Sequence, residues 1–223
     1  MILKENIDSI RKNLPPGVKL VAVSKFKPIE EILEVSKYGV KDFGENRPQE
    51  LNKKMSELPE EINWHFIGHL QTNKVKMIID KVFLIHSVDS LKLLTEINKE
   101  AVKRDITVNC LLQIYIASEE TKQGLSEAEL NEILDMKNLF TNINFNGLMG
   151  MASFTDNKDK VRGEFKYLRG LFNSVKQAYF AEDSQFSEIS MGMSGDYKIA
   201  IEEGSTIVRI GSLIFGERQA TIQ

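Results

Sequence analysis

Residues 20–25 read LVAVSK, a short valine-rich apolar run that ends in a serine and a lysine. A continuous run of this kind is typical of a β-strand that is covered on both faces, as in a parallel sheet flanked by helices. A lysine at the end of such a strand lies at the rim of a core, where desolvation favours its neutral, nucleophilic amine. Lysine side chains more often extend into solvent, so this run alone favours an exposed Lys25.

Further strand-like runs follow the first, and helix-like segments separate them. The runs lie near residues 18–25, 41–46, 63–69, 82–87, 107–116, 143–152, 187–192 and 206–212. This alternation predicts an α/β fold, and both a (β/α)8 barrel and an open doubly wound sheet produce it. No Gly-x-Gly-x-x-Gly follows the first run, and a count of eight favours closure. We therefore predict a single (β/α)8 TIM barrel domain over residues 1–223.

The helix signals fit this arrangement. Pro28 and Pro48 open two of the helices, and Thr72, Ser90 and Ser126 have side chains suited to N-caps. Three other helices are predicted over 4–12, before the first strand, over 159–180, the longest, and over 199–203, the shortest.

Composition excludes several classes of protein. The 223 residues are 42% hydrophobic and 27% charged, an ordinary balance for a globular domain. A net charge of −3 without a basic stripe argues against nucleic-acid binding. The single cysteine, Cys110, excludes a disulfide within the chain. The charged start and the lack of a long apolar segment predict a cytoplasmic protein that does not enter a membrane.

Polar side chains stand where the predicted strands end, which is where barrels of this kind place functional groups. These residues are Lys25, Asn46, His69, His86, Ser87, Ser190, Arg209 and Ser212, and Gly211 lies between the last two. Several nucleophilic, cationic and hydrogen-bonding groups on one rim are better explained by a binding site than by chance.

The seventh and eighth strands lead into a predicted anion site. Residues 190–196 read SMGMSGD, a glycine-containing turn before a short helix, and helix N-termini favour anions. Barrels often bind phosphate with these two loops. Ser190, Ser194 and Ser212 would add hydroxyl donors, and Gly211 would let the backbone approach closely. We favour this site over simple helix capping.

Two other kinds of polar residue are less informative. Arg209 lies in the otherwise apolar stretch 208–212, VRIGS, and needs a partner if it is buried. The sequence leaves open whether Arg209 pairs with Glu45 or faces a ring nitrogen of a ligand. His65 and His69 are four residues apart, but zinc needs three or four ligands, so we predict no metal site and a structural role for His65.

These segments together resemble the pyridoxal phosphate homeostasis protein family, whose members are similar to the barrel domain of alanine racemase. The matching motifs are VAVSK (21–25), FGENR (43–47), HFIGHLQTNK (65–74), HSVDS (86–90), GLM (147–149) and the run 190–216. The resemblance covers nearly the whole chain. It departs at Tyr115, where family members usually carry asparagine, and at Pro48, where valine is common.

The resemblance implies that pyridoxal 5'-phosphate (PLP) is bound as an imine at the barrel rim. The residues that it implies are Lys25 for the imine, Asn46 and His86 near the ring, Arg209 at the pyridine nitrogen, and Ser190, Ser194, Gly211 and Ser212 at the phosphate. It implies no catalytic residue and no metal.

The resemblance also implies a binding protein, a monomer or weak dimer that stores PLP or delivers it to PLP-dependent apo-enzymes. An arginine at the ring nitrogen cannot accept its proton, which weakens the cofactor as an electron sink. Alanine racemase has such an arginine too, but its second domain supplies an opposite base, and we expect 223 residues to leave no room for that domain. Two alternatives stay open: a compact PLP-dependent amino-acid racemase that uses Lys25 and Tyr115, and an aldolase-like barrel acting on a sugar phosphate.

Overall fold

Eight parallel strands close into a barrel in which β1 pairs with both β2 and β8. The structure, a computed structural model, describes residues 2–117 and 123–217. The strands are β1 (Lys19–Val23), β2 (Asp42–Glu45), β3 (Asn63–Phe66), β4 (Leu84–Val88), β5 (Val108–Ile114), β6 (Ile143–Gly150), β7 (Glu188–Ser190) and β8 (Ile207–Ile210). The predicted (β/α)8 barrel is confirmed, and the open doubly wound sheet is wrong. The domain limits 1–223 stay a prediction.

Helices connect the strands and pack around the barrel. They are α1 (Ile2–Arg11), α2 (Ile29–Lys37), α3 (Pro48–Glu57), α4 (Leu91–Arg104), α5 (Glu127–Asp135), α6 (Lys158–Tyr179), α7 (Tyr197–Glu202) and α8 (Ser212–Phe215). The predicted extra helix before the first strand is α1. None of the described helices combines the length and the apolar character that crossing a membrane requires.

The start signals were correct at three helices. Pro48 occupies the first turn of α3, and the Ser90 side chain accepts a hydrogen bond from the Leu93 amide at the start of α4. At α5, Ser126 and Glu129 form a reciprocal capping box. Ser90 and Ser126 accept hydrogen bonds from backbone N–H groups that have no partner within the helix, whereas Pro48 has no such N–H group. For this reason these residue types predict the start of a helix from local sequence.

Two helix predictions were wrong in detail. Thr72 does not cap an α-helix, because Thr72–Met77 is a 3-10 helix that follows Gln71. Apolar spacing predicts a helical segment there, but it does not distinguish the tighter hydrogen-bond pattern. Among the described residues the shortest α-helix is the four-residue α8, not the predicted segment 199–203; α8 lies between Gly211 and Gly216, directly after β8.

The core has two parts, and β1 contributes to both. Val21 belongs to the cluster inside the barrel, whereas Ala22 belongs to the larger cluster between the strands and the helices. The other fully enclosed members of the inner cluster are Leu84, Leu111, Met149 and Ile207. Because the two faces of β1 are both covered, the run LVAVSK is apolar without alternation.

A bulge sets the register of the end of β6. The pairing of β5 with β6 shifts between Cys110 and Leu111, and Gly147 stands at the shift with a φ of 148°. A Cβ at this position would lie 1.8 Å from the Glu188 carbonyl oxygen, so only glycine fits. The bulge thereby places Gly150 at the rim, where its carbonyl oxygen accepts a hydrogen bond from the guanidinium group of β8 described below.

Candidate functional site

A cavity of about 450 Å³ opens at the C-terminal end of the barrel. The segments that follow β1, β2, β3, β6, β7 and β8 line it. Six of the eight predicted ligand-binding residues belong to this lining: Lys25, Asn46, Ser194, Arg209, Gly211 and Ser212. Parallel strands bring their carboxyl ends to one edge, and for this reason residues far apart in sequence meet here.

Lys25 is half-buried in a tight turn that leaves β1. The amide of Lys27 donates to the carbonyl oxygen of Ser24 across 2.9 Å, and this bond closes the turn. Phe26 adopts a φ of 64°, a left-handed conformation that is costly for a residue with a large side chain. Its amide donates to Glu50 Oε1 at 2.6 Å, and this contact holds the unusual conformation. The turn therefore directs Lys25 to the cavity lining instead of leaving it fully exposed.

A buried charge cluster braces this turn from behind. Lys54 Nζ lies 2.8 Å from Glu45 Oε1, 2.7 Å from Glu50 Oε1 and 2.8 Å from the Ser24 carbonyl oxygen. Ser24 Oγ donates to the same Glu45 oxygen at 2.6 Å. Burial raises the pKa of Glu45 and outweighs the attraction of Lys54. The cluster couples α3 to the backbone that carries Lys25.

Lys54 was missed in the sequence, although a signal exists. It falls three residues after Leu51 and four before Leu58, on the buried stripe of α3, where a lysine needs a partner. Because Glu45 is that partner, the alternative in which Glu45 pairs with Arg209 is wrong.

Asn46 follows β2 directly and lines the cavity. Gly68 lets the chain after β3 pass close to it, since a Cβ at Gly68 would lie 2.3 Å from the Asn46 carbonyl oxygen. The side-chain Oδ1 of Asn46 is buried and accepts no hydrogen bond within the described part of the chain. A buried polar atom of this kind normally has a partner, so the cavity wall holds an unused acceptor.

Arg209 is buried, with 3% of its surface exposed, yet it lines the cavity. Its Nη1 donates to Ser190 Oγ at 2.6 Å, and its Nη2 donates to the Gly150 carbonyl oxygen at 3.1 Å. Burial lowers the pKa of Arg209 to about 10, which leaves it charged at neutral pH. A guanidinium has five N–H groups, so donors beyond these two bonds remain.

Ser190 and His86 are fully buried and are not among the cavity-lining residues of the described chain. His86 Nδ1 lies 2.8 Å from Ser190 Oγ, and His86 Nε2 lies 2.8 Å from His65 Nδ1. The structure therefore places both residues beneath Arg209, where they support it. That Ser190 contacts a phosphate and that His86 lies near a ring stay predictions, although neither residue belongs to the described lining.

The opposite side of the cavity is shaped by glycines and hydroxyls. Ser194 Oγ accepts a hydrogen bond from the Gly211 amide at 3.4 Å, and Ser212 is exposed at the start of α8. A Cβ at Gly211 would lie 3.3 Å from the Val23 carbonyl oxygen, so glycine allows β8 and β1 to approach. Asp196 accepts a hydrogen bond from the Met193 amide at 2.5 Å and closes the turn after β7.

A second, outer groove of about 650 Å³ lies beside the cavity. Ser194, Gly195 and Asp196 line both spaces, so the wall between them is one chain thick. Tyr115 is not among the described residues that line the cavity. Within residues 2–117 and 123–217 there is no cluster of three side chains suited to hold a metal.

Comparison with known proteins identifies the family to which the chain is similar. The alanine racemase N-terminal domain family matches residues 2–219. The pyridoxal phosphate homeostasis protein of Aquifex aeolicus is 43% identical over 202 residues, which cover 90% of this chain and 87% of that protein.

Solved structures of PipY and of alanine racemase are also similar to this chain. PipY of Synechococcus elongatus PCC7942 is 32% identical, and the match covers 96% of this chain and 100% of that one. The TM-score is 0.91 for PipY without PLP and 0.88 for PipY with PLP bound. Alanine racemase from Bartonella henselae shares the fold, with a TM-score of 0.72 at 13% identity over 98% of this chain and 61% of that one.

Proposed function

Because the chain belongs to the alanine racemase N-terminal domain family, and within it to the pyridoxal phosphate homeostasis proteins, we propose that it binds PLP and serves the homeostasis of that cofactor. One observation carries the proposal. Lys25 and Arg209 line the same 450 Å³ cavity as the hydroxyl and glycine residues Ser194, Gly211 and Ser212. An amine, a cation and an anion cradle in one space match the aldehyde, ring nitrogen and phosphate of PLP.

The residues of the cavity fit this cofactor. Its volume lies within the range of small-molecule sites, at about 300–1,000 Å³. The unused acceptor on Asn46 and the unused donors on Arg209 are hydrogen-bonding groups that a ligand with a polar ring can satisfy. Ser194 and Ser212 supply hydroxyls beside the Gly211 backbone, which suits a phosphate.

PLP, when bound, would supply an aldehyde carbon that is reactive toward a primary amine. We assign the amine to Lys25, which the turn after β1 and the Glu45–Lys54 cluster hold at the cavity. We assign Arg209 to the ring nitrogen, where it donates and cannot accept a proton. His86 and Ser190 act through Arg209.

We further propose that the protein performs no substantial turnover and passes PLP to apo-enzymes. The electron-sink chemistry of PLP is strongest when a carboxylate pairs with a protonated ring nitrogen. Arg209 donates to a serine hydroxyl and to a backbone carbonyl, and these groups do not replace such a carboxylate. A second amine can displace Lys25 from the imine, which suits delivery.

The visible absorbance of the protein mixed with PLP tests the binding proposal. We expect a band that borohydride converts to a stable adduct on the peptide that contains Lys25. Lys25→Ala removes the band, whereas Lys27→Met retains it, although Lys27 also lines the cavity, because its amine bonds to the Phe215 carbonyl oxygen. A band that survives Lys25→Ala contradicts the assignment.

Delivery is measured by mixing the PLP-loaded protein with a PLP-dependent apo-enzyme. We expect recovery of the enzyme's activity, and no recovery from protein first reduced with borohydride. Sustained solvent deuterium exchange at the α-carbon of amino acids, lost in Lys25→Ala, would contradict the absence of turnover.

A further inference from the structure

A chain of hydrogen-bonded polar side chains runs through the barrel interior from one end to the other. Asp42 Oδ1 lies 3.0 Å from His65 Nε2, and His65 Nδ1 lies 2.8 Å from His86 Nε2. His86 Nδ1 lies 2.8 Å from Ser190 Oγ, which accepts from Arg209 Nη1 at 2.6 Å. We call these five residues the interior chain. It joins five different strands and the two ends of the barrel.

The two ends of the interior chain face different spaces. Asp42 is the first residue of β2 and lines a depression of about 340 Å³ at the N-terminal end of the barrel. Arg209 lines the ligand cavity at the C-terminal end. The three residues between them are fully buried. The interior chain is therefore a continuous polar path between a solvent-facing carboxylate and the ligand cavity.

The chemistry of the two ends sets the direction of every hydrogen bond. Arg209 can only donate, and an ionised Asp42 can only accept. Because His65 Nε2 faces the ionised Asp42, it carries a proton and donates to Asp42. With its proton on Nε2, His65 accepts at Nδ1 from His86 Nε2, so His86 Nδ1 accepts from the Ser190 hydroxyl, whose oxygen also accepts from Arg209. In the reversed order, an unprotonated His65 nitrogen would face the Asp42 carboxylate.

The environment of the interior chain supports this proton arrangement. Burial, together with the positive charge of Arg209, lowers the pKa of His86 well below its usual value, so His86 is neutral. Burial would raise the pKa of Asp42, but the hydrogen bond from His65 and further favourable contacts outweigh it and lower that pKa. Asp42 is therefore ionised, as the assigned direction requires.

We propose that Asp42 is a remote positioning residue for the ligand cavity, acting on Arg209 through His65, His86 and Ser190. The ordered donors hold the Arg209 plane so that its remaining N–H groups face the cavity. The negative charge of Asp42 offsets part of the positive potential there. This inference rests on the proposed function and extends it to a residue at the opposite end of the barrel.

Other charges face the interior chain and stay constant in the test. Lys19 on β1 lies near Asp42 and pairs with Glu188 on β7 at 2.5 Å. Asp196, in the turn after β7, acts electrostatically on Arg209. Lys19, Glu188 and Asp196 are unchanged in all the variants below. Differences between those variants therefore come from the interior chain.

The histidine tautomers test the direction without any ligand. The chain has three histidines, and nitrogen NMR of histidine-labelled protein distinguishes protonated from unprotonated ring nitrogens. We expect His65 and His86 to carry their proton on Nε2 at neutral pH, with the exposed His69 as an internal reference. A proton on His86 Nδ1 overturns the assigned direction.

The second test follows the pH midpoint of the visible band of PLP bound to the protein. Asp42→Asn keeps an acceptor for His65 but removes the charge, so the positive potential in the cavity rises. We expect the midpoint to move down by on the order of half a pH unit. Asp89→Asn is the matched control, since Asp89 pairs with His69 outside the interior chain, and we expect no movement.

A double-mutant cycle with Ser190→Ala distinguishes an effect carried by the hydrogen bonds of the interior chain from one that depends only on the distance between Asp42 and the cavity. The alanine interrupts the interior chain between His86 and Arg209, so the part of the Asp42→Asn shift that the hydrogen bonds carry should be lost, and the shift should be clearly smaller in that background. An equal shift in both backgrounds, or no shift in the wild-type background, overturns the inference. A wild-type protein without a visible band contradicts the proposed function instead.

Discussion

The two sides of the ligand cavity are built in different ways. The lysine wall, which comprises residues 24–27 with Glu45, Glu50 and Lys54, is held by buried charges. The glycine wall, which comprises residues 192–196 and 209–212, is shaped by close backbone approaches. Buried ion pairs give one reactive side chain a defined direction, whereas glycines give a surface the concavity that an anion needs.

The largest expected effect comes from breaking the lysine wall. Lys54→Met leaves the Glu45 carboxylate buried without its cation, and we expect a loss of about 3–5 kcal/mol in the free energy of unfolding. Urea denaturation measures this loss. Lys53→Met is the control, because Lys53 is 73% exposed, and its effect should stay within about 0.5 kcal/mol.

Lys54→Met also serves to distinguish the loss of charge pairing from the loss of side-chain packing. Adding Glu45→Gln to Lys54→Met removes the uncompensated carboxylate, and most of the lost stability should return. If the double variant is as unstable as Lys54→Met, the lysine wall depends on the shape of these side chains and the contrast with the glycine wall fails.

A smaller effect is expected from the glycine wall. Gly192 has a φ of 94°, and a Cβ there would lie 2.6 Å from the Ala200 Cβ. We expect Gly192→Ala to cost about 2 kcal/mol of unfolding free energy and to weaken PLP binding. Gly195→Ala is the matched control, since a Cβ at Gly195 meets no described atom within 4 Å. Equal stabilities of the two variants, measured by thermal denaturation, contradict this account.

The smallest effect concerns His86, which lies beneath both walls. Its pKa is lowered in the folded state, so below about pH 6.5 the unfolded chain binds a proton that the folded chain does not. Stability therefore falls as the pH decreases from this value. His86→Gln should reduce the slope by about 1 kcal/mol per pH unit between pH 6 and pH 5. The slope should persist in His69→Gln, and an unchanged slope in His86→Gln would contradict a neutral His86.

The barrel could be predicted from sequence because each strand is a covered apolar run and each connection contains a helix signal. The rim residues followed from one rule, that strands deliver polar ends to one edge. Lys25 illustrates the limit of local sequence. The run LVAVSK alone favours a solvent-exposed lysine, and only the polar residues at the other strand ends place Lys25 at a cavity.

The depth of a side chain could not be predicted. Ser190 and His86 stand at or near strand ends, yet the stagger of the strands places them below the lining. His69 was expected at the end of β3, but this strand ends at Phe66, and His69 is exposed beside Asp89. Pairings such as Glu45 with Lys54 depend on how a helix packs on the barrel, which local spacing does not show.

The one-chain wall at residues 194–196 links two compartments of the molecule. Because Gly195 adjoins open space, a side chain introduced there changes the capacity of the cavity or of the outer groove without disturbing the core. The volumes of the cavity and of the outer groove depend on each other, since residues 194–196 form the wall between them. Selectivity for a ligand in the cavity and shape of the outer surface can therefore be altered by evolution or by design through a single position.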